Sequence, residues 1–395
     1  MKQFSCTPFI VLILLCCGSP EPEIKPELKT VSIDLSQALT LSFDSVFKVE
    51  ELISLQGSEN LPIRSINRLF KKEEVYWILT NDLIILSDLE GNLIKLISNK
   101  GMGPGEYQSL DDIRWNEKDQ LMEVLDRTEG KILSYSLSGE FEKEWKNRFL
   151  YTALSFSPYE GDYLVYGGTF FEGEGDRLVL VSTETGEKTN GFIPLGKERN
   201  FLNVINNDTF FQNHQSLEFF FSDNDTIYRI DADGAYPEVV FDPGQYKVTE
   251  EILQRDFENI MEFRQELSRG NQISLFTIQP TQKNYYLRFR QQNEFFPSVY
   301  NRSTGEIRII KNWDSDFGPE FEKLGSFFIF APIASDADFL YFPLDPYEVK
   351  SAVDELQDHP NLEDFLESNQ YIKEIYENFE NYENPYILKV SIREF

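Results

Sequence analysis

Histidine is scarce in this sequence, and its scarcity limits the chemistry that the chain can perform. Only His214 and His359 are present. They lack metal-ligand spacing, no His-Glu-x-x-His motif occurs, and no Gly-x-Ser-x-Gly motif supports a catalytic triad. The pattern predicts that both histidines are packing or surface residues.

Carboxylates are abundant, and two segments resemble the start of a calcium-binding loop. These are Asp231-Ala-Asp233-Gly234 and Asp314-Ser-Asp316-Phe-Gly318. Both depart from the EF-hand pattern, because the twelfth positions hold Asp242 and Gly325 and the sixth-position glycine is missing. Aspartate and glycine in this order are typical of β-turns, so no linear metal site is predicted.

The net charge of the chain limits the kinds of partner that it is expected to bind. Among 395 residues, 67 are acidic and 37 are basic, which gives a formal net charge of −30. Phosphate backbones bind to basic surfaces, so nucleic acid is not an expected partner. The 41% hydrophobic content is sufficient for a large buried core.

The N-terminus has the features of a lipoprotein signal peptide, assigned to residues 1–16. Lys2 precedes an apolar run over residues 9–15, which is too short to span a bilayer. The run ends in Leu14-Leu15-Cys16-Cys17, which resembles a bacterial lipobox. Cys17 is the predicted lipid attachment site, and Cys16 is the alternative. An ordinary cleaved signal peptide with incidental cysteines is the competing interpretation.

The acidic, proline-rich segment 17–30 is predicted to be an extended tether. Beyond Cys17 the chain has no cysteine, so packing alone must hold the body together.

Residues 31–395 contain six irregular repeats of short β-rich runs separated by turn residues. The repeats are spaced as expected for four-stranded propeller blades. The sixth repeat lacks one strand, and the run at 47–55 is predicted to supply it. The fold class is therefore predicted as all-β: a six-bladed β-propeller of four-stranded blades, closed by an N-terminal strand. A sandwich or split barrel is the competing fold.

Two segments interrupt the repeats with helical periodicity, at about 248–269 and 347–381. The first follows the outer strand of the fourth repeat, and the second separates the middle strands of the sixth. In an antiparallel blade both connections lie at the same end. The two helical insertions are therefore predicted on one face, where they roof the central channel or only pad the rim.

One loop carries a family resemblance. The segment Asn99-Lys-Gly-Met-Gly-Pro-Gly-Glu-Tyr107 follows a β-run and resembles a loop of six-bladed β-propeller lipoproteins of Bacteroidetes. The likeness covers the lipobox, the strand before the first repeat, the first two repeats and the first insertion. Most members have no known function, so the resemblance implies a fold and an outer-membrane location.

The candidate ligand face combines this loop with charged residues near predicted inner strands. Those residue positions are Arg64, Glu106, Tyr107, Asp111, Asp112 and Arg114. If the arginines point inward, each needs a partner, because buried charge is costly. A structural turn at the loop and ordinary rim charges are the competing interpretations.

The sequence favours a binding or scaffold module over an enzyme. The expected location is the outer membrane, by a lipid anchor, facing the periplasm or the surface. The ligand would be a glycan, a peptide or a partner protein of the envelope. The alternative is a hydrolase or lyase that uses carboxylates of the central channel. Calcium in that channel is possible without a linear motif, and no other cofactor is expected.

The anchor assignment makes a direct prediction. Cys17→Ala should release the protein from membranes and abolish labelling with radioactive fatty acid, because the acylated cysteine is the attachment point. Continued labelling of the variant would contradict Cys17 and move the anchor to Cys16.

Overall fold

The computed structural model describes residues 28–56, 63, 65–195, 209–212, 216–231, 234–321, 332–379 and 384–395. These residues are mostly β-structure, in six sheets of four antiparallel strands, two of which carry a fifth, parallel strand. The predicted β-rich fold of four-stranded repeats is confirmed. No helix in these ranges is long and apolar enough to cross a membrane.

The N-terminal segment supplies strands to sheets that are formed by distant parts of the chain. It contains β1 (Lys29–Ser32), β2 (Leu39–Ser42) and β3 (Phe47–Ser54). The first two residues of β1 thus fall inside the predicted tether.

Three sheets follow as continuous meanders. Sheet 1 contains β4 (Arg68–Lys72), β5 (Val75–Leu79), β6 (Ile84–Ser87) and β7 (Leu93–Ile97). Sheet 2 contains β8 (Asp112–Asn116), β9 (Leu121–Asp126), β10 (Lys131–Tyr135) and β11 (Phe141–Lys146). Sheet 3 contains β12 (Ser155–Tyr159), β13 (Asp162–Tyr166), β14 (Asp176–Val181) and β15 (Lys188–Pro194).

The last three sheets each include one N-terminal strand. Sheet 4 contains β16 (Phe210–Gln212), β17 (Leu217–Phe219), β18 (Thr226–Asp231) and β19 (Gly234–Asp242), with β1 parallel to β19. Sheet 5 contains β20 (Ile273–Pro280), β21 (Asn284–Gln291), β22 (Glu294–Asn301) and β23 (Ile307–Asp314), with β2 parallel to β23. Sheet 6 contains β24 (Ala334–Ser335), β25 (Phe339–Leu344) and β26 (Tyr386–Ile392), and β3 pairs antiparallel with β26. The predicted pairing of the 47–55 run with the last repeat is therefore observed.

Both faces of each sheet pack against a neighbouring sheet. In sheet 2, Val124 belongs to the apolar cluster shared with sheet 1, whereas Leu125 belongs to the cluster shared with sheet 3. Equivalent clusters join sheets 3 and 4, 4 and 5, 5 and 6, and 6 and 1. Tyr76 and Tyr341 form the last of these contacts, with ring centroids 5.8 Å apart.

The helices lie in connections between strands. They are α1 (Phe43–Val46), α2 (Glu250–Leu253), α3 (Ile260–Arg269), α4 (Pro346–Asp354), α5 (Leu362–Ser368) and α6 (Gln370–Glu377). Short 3-10 helices occur at Leu35–Gln37, Arg148–Thr152, Gly168–Glu174, Gly244–Tyr246 and Pro319–Phe321.

Both helical insertions are more divided than the periodicity predicts. The helix expected over 248–269 is two helices, because the Asn259 side chain accepts the backbone N–H groups of Met261 and Glu262 and begins α3 there. The segment 347–381, for which one or two helices are expected, contains three in its described part. Asn369 separates the last two.

The two ends of the sheets differ in their connections. Only a few residues separate the first strand from the second in each sheet, and the third from the fourth in sheets 1 to 5. In sheet 6 the fourth strand is β3, which comes from the N-terminal segment. The other end carries the sheet-to-sheet connections and those between second and third strands, including 98–111, 147–154, 167–175, 243–272 and 345–379. We call this end the loop-rich rim. Both helical insertions belong to connections of this kind.

Buried polar pairs mark alternate sheet interfaces. The Tyr163 hydroxyl donates to Glu123 at 2.8 Å between sheets 2 and 3, and the Tyr285 hydroxyl donates to Glu218 at 2.7 Å between sheets 4 and 5. These residues occupy the second or third position of the second strand in their sheets. Burial raises the pKa of Glu123, against the opposing hydrogen bonds from Asn116 and Tyr163.

Glu123 should make stability depend on pH. Because the folded chain binds this proton more tightly than the unfolded chain, the stabilisation is complete below the ordinary glutamate pKa of about 4.3 and is lost as pH rises through the raised value. Glu123→Gln should remove this loss. Its free energy of unfolding relative to wild type should rise from pH 4.5 to pH 8, measured by urea denaturation.

The matched control is Glu142→Gln, since Glu142 is exposed on the outer strand of the same sheet. The difference in free energy of unfolding between this variant and wild type should stay constant across the same pH range. A pH-independent difference for Glu123→Gln would contradict the raised pKa.

Candidate functional site

Two of the predicted inner-strand charges, Asp112 and Arg114, meet where three first strands begin. The first strands of sheets 1 and 2, 2 and 3, 3 and 4, 5 and 6, and 6 and 1 contact each other. Asp112 is fully buried at the start of β8, beside Arg68 at the start of β4 and Ser155 at the start of β12. We call Arg68, Asp112, Arg114 and Ser155 the inner-strand cluster.

The carboxylate of Asp112 is engaged on both oxygens. Arg68 Nε lies 3.5 Å from Oδ1, and Arg114 Nη2 lies 3.2 Å from Oδ2. The Ser155 hydroxyl donates to Oδ2 at 2.6 Å, and the Ile113 backbone N–H donates to Oδ1 at 2.9 Å. This arrangement joins three sheets and leaves the carboxylate little capacity for a ligand.

Two of these residues were predicted from the sequence and two were not. Asp112 and Arg114 were both predicted as candidate residues, and they are in contact. Asp112 is the partner that a buried Arg114 was expected to need. Arg68 and Ser155 carried no sequence signal, because their role depends on contacts between sheets. Arg64, the other predicted arginine, lies outside the described residues.

Asp111 has a different role from its neighbour. Its Oδ2 accepts the Ser109 hydroxyl at 2.6 Å and the Arg127 backbone N–H at 3.0 Å. Asp126 accepts the same serine hydroxyl at 2.9 Å. Asp111 therefore fastens the 108–111 connection to the turn after β9.

The glycine-rich loop is held by its own acidic residue and by the core. Glu106 Oε2 accepts the Gly103 backbone N–H at 2.7 Å. Tyr107 is 1% exposed, and its hydroxyl donates to the carbonyls of Asp82 and Ile97 at 2.7 and 3.0 Å. Because this hydroxyl is bound to two backbone carbonyls, the contacts of Tyr107 favour the structural-turn interpretation.

The fully buried Lys131 stabilises the same loop through Glu144. Its ammonium group lies 3.1 Å from Glu144, which also accepts the Gly105 backbone N–H at 3.3 Å. Gly105 has a φ of +73°, a conformation that glycine adopts without steric cost.

A cleft opens on the loop-rich rim between sheets 3, 4 and 5, with a volume of about 310 Å³. It lies under the start of the first helical insertion, between the 220–225 connection and the 243–250 connection. One wall is aromatic. The rings of Phe221 and Tyr228 are nearly parallel, with centroids 6.3 Å apart, and the Arg177 guanidinium lies 4.8 Å from the Phe221 ring.

The opposite wall of this rim cleft is polar. Both oxygens of Asp223 accept hydrogen bonds from Arg264 of α3, at 2.8 and 2.7 Å. Asp225 lies 2.6 Å from the Lys247 ammonium group. Burial, followed by the charge of Asp225, raises the pKa of Tyr228, so its hydroxyl is a hydrogen-bond donor at neutral pH.

The cleft was missed at the sequence level because it is assembled from three sheets. The run of Phe219, Phe220 and Phe221 followed by Asp223 and Asp225 was the available signal. Such a run is equally typical of a buried strand and its turn.

The histidines and carboxylates do not assemble a recognisable metal centre in the described ranges. No group of three or more His, Cys, Asp or Glu side chains there has the geometry to hold a metal ion. His359 Nδ1 accepts the Asn361 backbone N–H at 3.2 Å, and its ring packs on Phe321. His214 lies outside the described residues.

Six four-stranded sheets packed face to face define a fold of the β-propeller class. Residues 29–391 match the family described as a domain of unknown function, DUF4934, and the chain belongs to this family. No curated protein matches the sequence.

Two solved structures share the fold. An exported-protein candidate from Bacteroides fragilis is 15% identical, with a TM-score of 0.72 over 93% of this chain and 100% of its own. A DUF4221 family member from Bacteroides vulgatus is 12% identical, with a TM-score of 0.50 over 88% of this chain and 98% of its own. These matches fit the predicted resemblance to a Bacteroidetes family without an established function.

The inner-strand cluster makes a stability prediction. Asp112→Asn removes the negative charge between two buried guanidinium groups, and should lower the free energy of unfolding by about 3 kcal/mol in urea denaturation. Glu117→Gln is the control, because Glu117 pairs with Lys72 at an exposed position. It should cost less than about 1 kcal/mol. Equal effects of the two changes would show that the cluster does not hold the sheets together.

Proposed function

We propose that this chain is a closed six-bladed β-propeller that acts as a lipid-anchored binding module at the outer membrane. The circular order of apolar contacts, from sheet 1 through sheet 6 and back to sheet 1, supports closure. Contacts between first strands support a central position for these strands. A row of sheets that are apolar on both faces would leave two faces in water.

The lipid anchor remains a proposal from the N-terminal sequence. Cys17 is the attachment site, with Cys16 as the alternative, and both precede the described residues. The similar Bacteroides fragilis protein is an exported-protein candidate, which agrees with a place in the envelope. The anchored domain would face the periplasm or the cell surface.

The rim cleft is the observation that carries the binding proposal. Its volume of about 310 Å³ is at the lower end of small-ligand sites. It accommodates one unit of a longer ligand, such as a sugar ring or a peptide side chain. The ligand class is a glycan, a peptide or a segment of a partner protein.

The chemistry of the cleft fits a ligand with an apolar face and polar edges. The rings of Phe221 and Tyr228 offer flat apolar surface, and the Tyr228 hydroxyl offers a donor. Asp225 and Lys247 add an acceptor and a donor at the edge of the same cleft. Convergent polar groups around aromatic surface are typical of ligand sites.

The alternative function is a hydrolase or lyase that works through channel carboxylates, with calcium as a possible cofactor. Asp112 is the described carboxylate nearest to this role, and it is bound by two arginines and a serine. Catalysis there would require the inner-strand cluster to open. The alternative stays a hypothesis, and turnover of a glycan or peptide by purified protein would establish it.

Ligand binding is testable with a panel of glycans and peptides in a thermal-shift assay on the purified protein. Compounds that bind the native state raise the melting temperature. For such a compound, Tyr228→Ala should weaken affinity at least about tenfold, which is about 1.4 kcal/mol, because the variant loses the ring and the hydroxyl. Isothermal titration calorimetry measures the change.

Tyr151→Ala is the matched control. Tyr151 is an exposed aromatic residue, 57% accessible, on the same rim but outside the cleft. Its loss should leave affinity unchanged. Wild-type affinity in Tyr228→Ala would remove the cleft from the proposal, and a panel without any stabilising compound would remove small-ligand binding.

A further inference from the structure

A second feature, on sheet 5, has no role in the cleft or in the fold described above. Arg288 lies in the middle of β21 and is 8% exposed. Among the described residues, no carboxylate lies within ion-pair distance of its guanidinium group. Its Nε is enclosed and has no hydrogen-bond partner. Buried guanidinium groups normally have such partners, because desolvating a charge is costly.

A neighbouring hydroxyl is also left without a partner. Thr277 of β20 lies directly opposite Arg288 in the strand register, so the two side chains share one face of sheet 5. The Thr277 Oγ1 is enclosed and makes no hydrogen bond. A donor-rich cation and a hydroxyl thus stand side by side with unused hydrogen-bonding capacity.

Aromatic rings hold the arginine without consuming its donors. The Arg288 guanidinium lies 4.3 Å from the Phe295 ring and 5.9 Å from the Phe276 ring, and these two rings are 5.3 Å apart. Stacking engages the flat face of a guanidinium group. The N–H donors lie in the plane of the guanidinium group, so stacking does not occupy them. Their fork geometry matches a carboxylate.

More positive charge lies further along the strand. Arg290 has the same orientation as Arg288, since the two are two residues apart on β21, and its guanidinium lies 5.9 Å from the Phe276 ring. Arg264 lies near Arg290 and is paired with Asp223. Three guanidinium groups and one carboxylate give an excess of two positive charges in a chain of net charge −30.

The electrostatics of these two arginines favour a nearby anion. Burial lowers the pKa of Arg288. Burial and then the charge of Arg264 lower the pKa of Arg290, against the opposing charge of Asp223. An anion beside these groups would offset both costs.

We propose that Arg288, Arg290 and Thr277 form a carboxylate-binding site, walled by Phe276 and Phe295. The ligand is a carboxylate carried on a flat or apolar body, such as a uronic acid sugar or the end of an aromatic peptide. Arg288 binds the carboxylate through its fork, Thr277 donates from the side, and the two rings contact the body of the ligand. Arg288 shares a face with Tyr286, toward sheet 6, whereas Phe289 points to the cleft on the other face. The lining of the cleft includes Phe289 but none of the five residues of this site, so the two sites are distinct, although Arg264 pairs with Asp223 of the cleft.

The experiment compares carboxylates with chloride at equal ionic strength. Glucuronate and N-acetylphenylalanine should raise the melting temperature of wild-type protein above the value in sodium chloride, and glucose should not. The two carboxylates distinguish a sugar source from a peptide source. If neither raises the melting temperature, the proposal is overturned.

Variants of Arg288 distinguish a ligand-binding role of this arginine from a purely structural role. Arg288→Met should raise the melting temperature without ligand, because it removes a buried charge that lacks an anionic partner, and should abolish the response to carboxylates. Arg288→Lys keeps the charge but loses the fork, and should bind the responding carboxylate at least about tenfold more weakly. Arg269→Met is the control, since Arg269 is exposed near the end of α3, and it should respond as wild type does.

Two results would contradict the site. One is an Arg288→Met protein that still responds to the carboxylate. The other is an Arg288→Met protein that is less stable than wild type, which would show that the arginine serves the fold. Tyr228→Ala should retain the carboxylate response, so failure of the cleft and failure of this site remain distinguishable.

Discussion

The apolar character of both faces of every sheet constrains the whole structure. A strand such as β9 sends Val124 to one neighbouring sheet and Leu125 to the other. Each sheet then needs an apolar partner on both of its faces, and the neighbouring sheets supply these partners. This requirement determines where the loop-rich rim, the first strands and the rim cleft lie.

Polar contacts add specificity to these apolar interfaces. Between sheets 2 and 3 and between sheets 4 and 5, a buried glutamate meets a tyrosine hydroxyl at the same height of the second strand. A slip of either strand by one residue would move the carboxylate to the opposite face, so each pair fixes a register. The inner-strand cluster acts similarly where sheets 1, 2 and 3 converge.

The fold was largely predictable because the signals for strands are local. Alternating apolar runs and turn residues indicated four-stranded repeats, and the missing strand of the sixth repeat pointed to the run at 47–55. The division of the helical insertions was not predictable from periodicity, since it depends on single residues such as Asn259 and Asn369 that interrupt or cap an otherwise continuous pattern.

The sites were predictable only where one strand carried the signal. Asp112 and Arg114 lie on the same short strand, and they were predicted together. Arg68 joins them through contacts between sheets, which the sequence does not display. Arg288 is visible in the sequence as a charged residue within the apolar run from Tyr285 to Phe289. Its neighbours are not visible, because only the strand register places Thr277 opposite it.

The N-terminal strands have a consequence for the order of events during synthesis. Residues 29–54 leave the ribosome first, but their partners are strands β19, β23 and β26, and the last of these ends at Ile392. The edge of sheet 4 can therefore be completed once β19 has emerged at Asp242, and that of sheet 5 once β23 has emerged at Asp314. The edge of sheet 6 is completed only after almost the entire chain has emerged. Such distant pairing makes folding slow, and a truncated chain would expose open strand edges on which copies aggregate. The pairing of the N-terminal strands thus makes three sheets depend on parts of the chain that are synthesised much later.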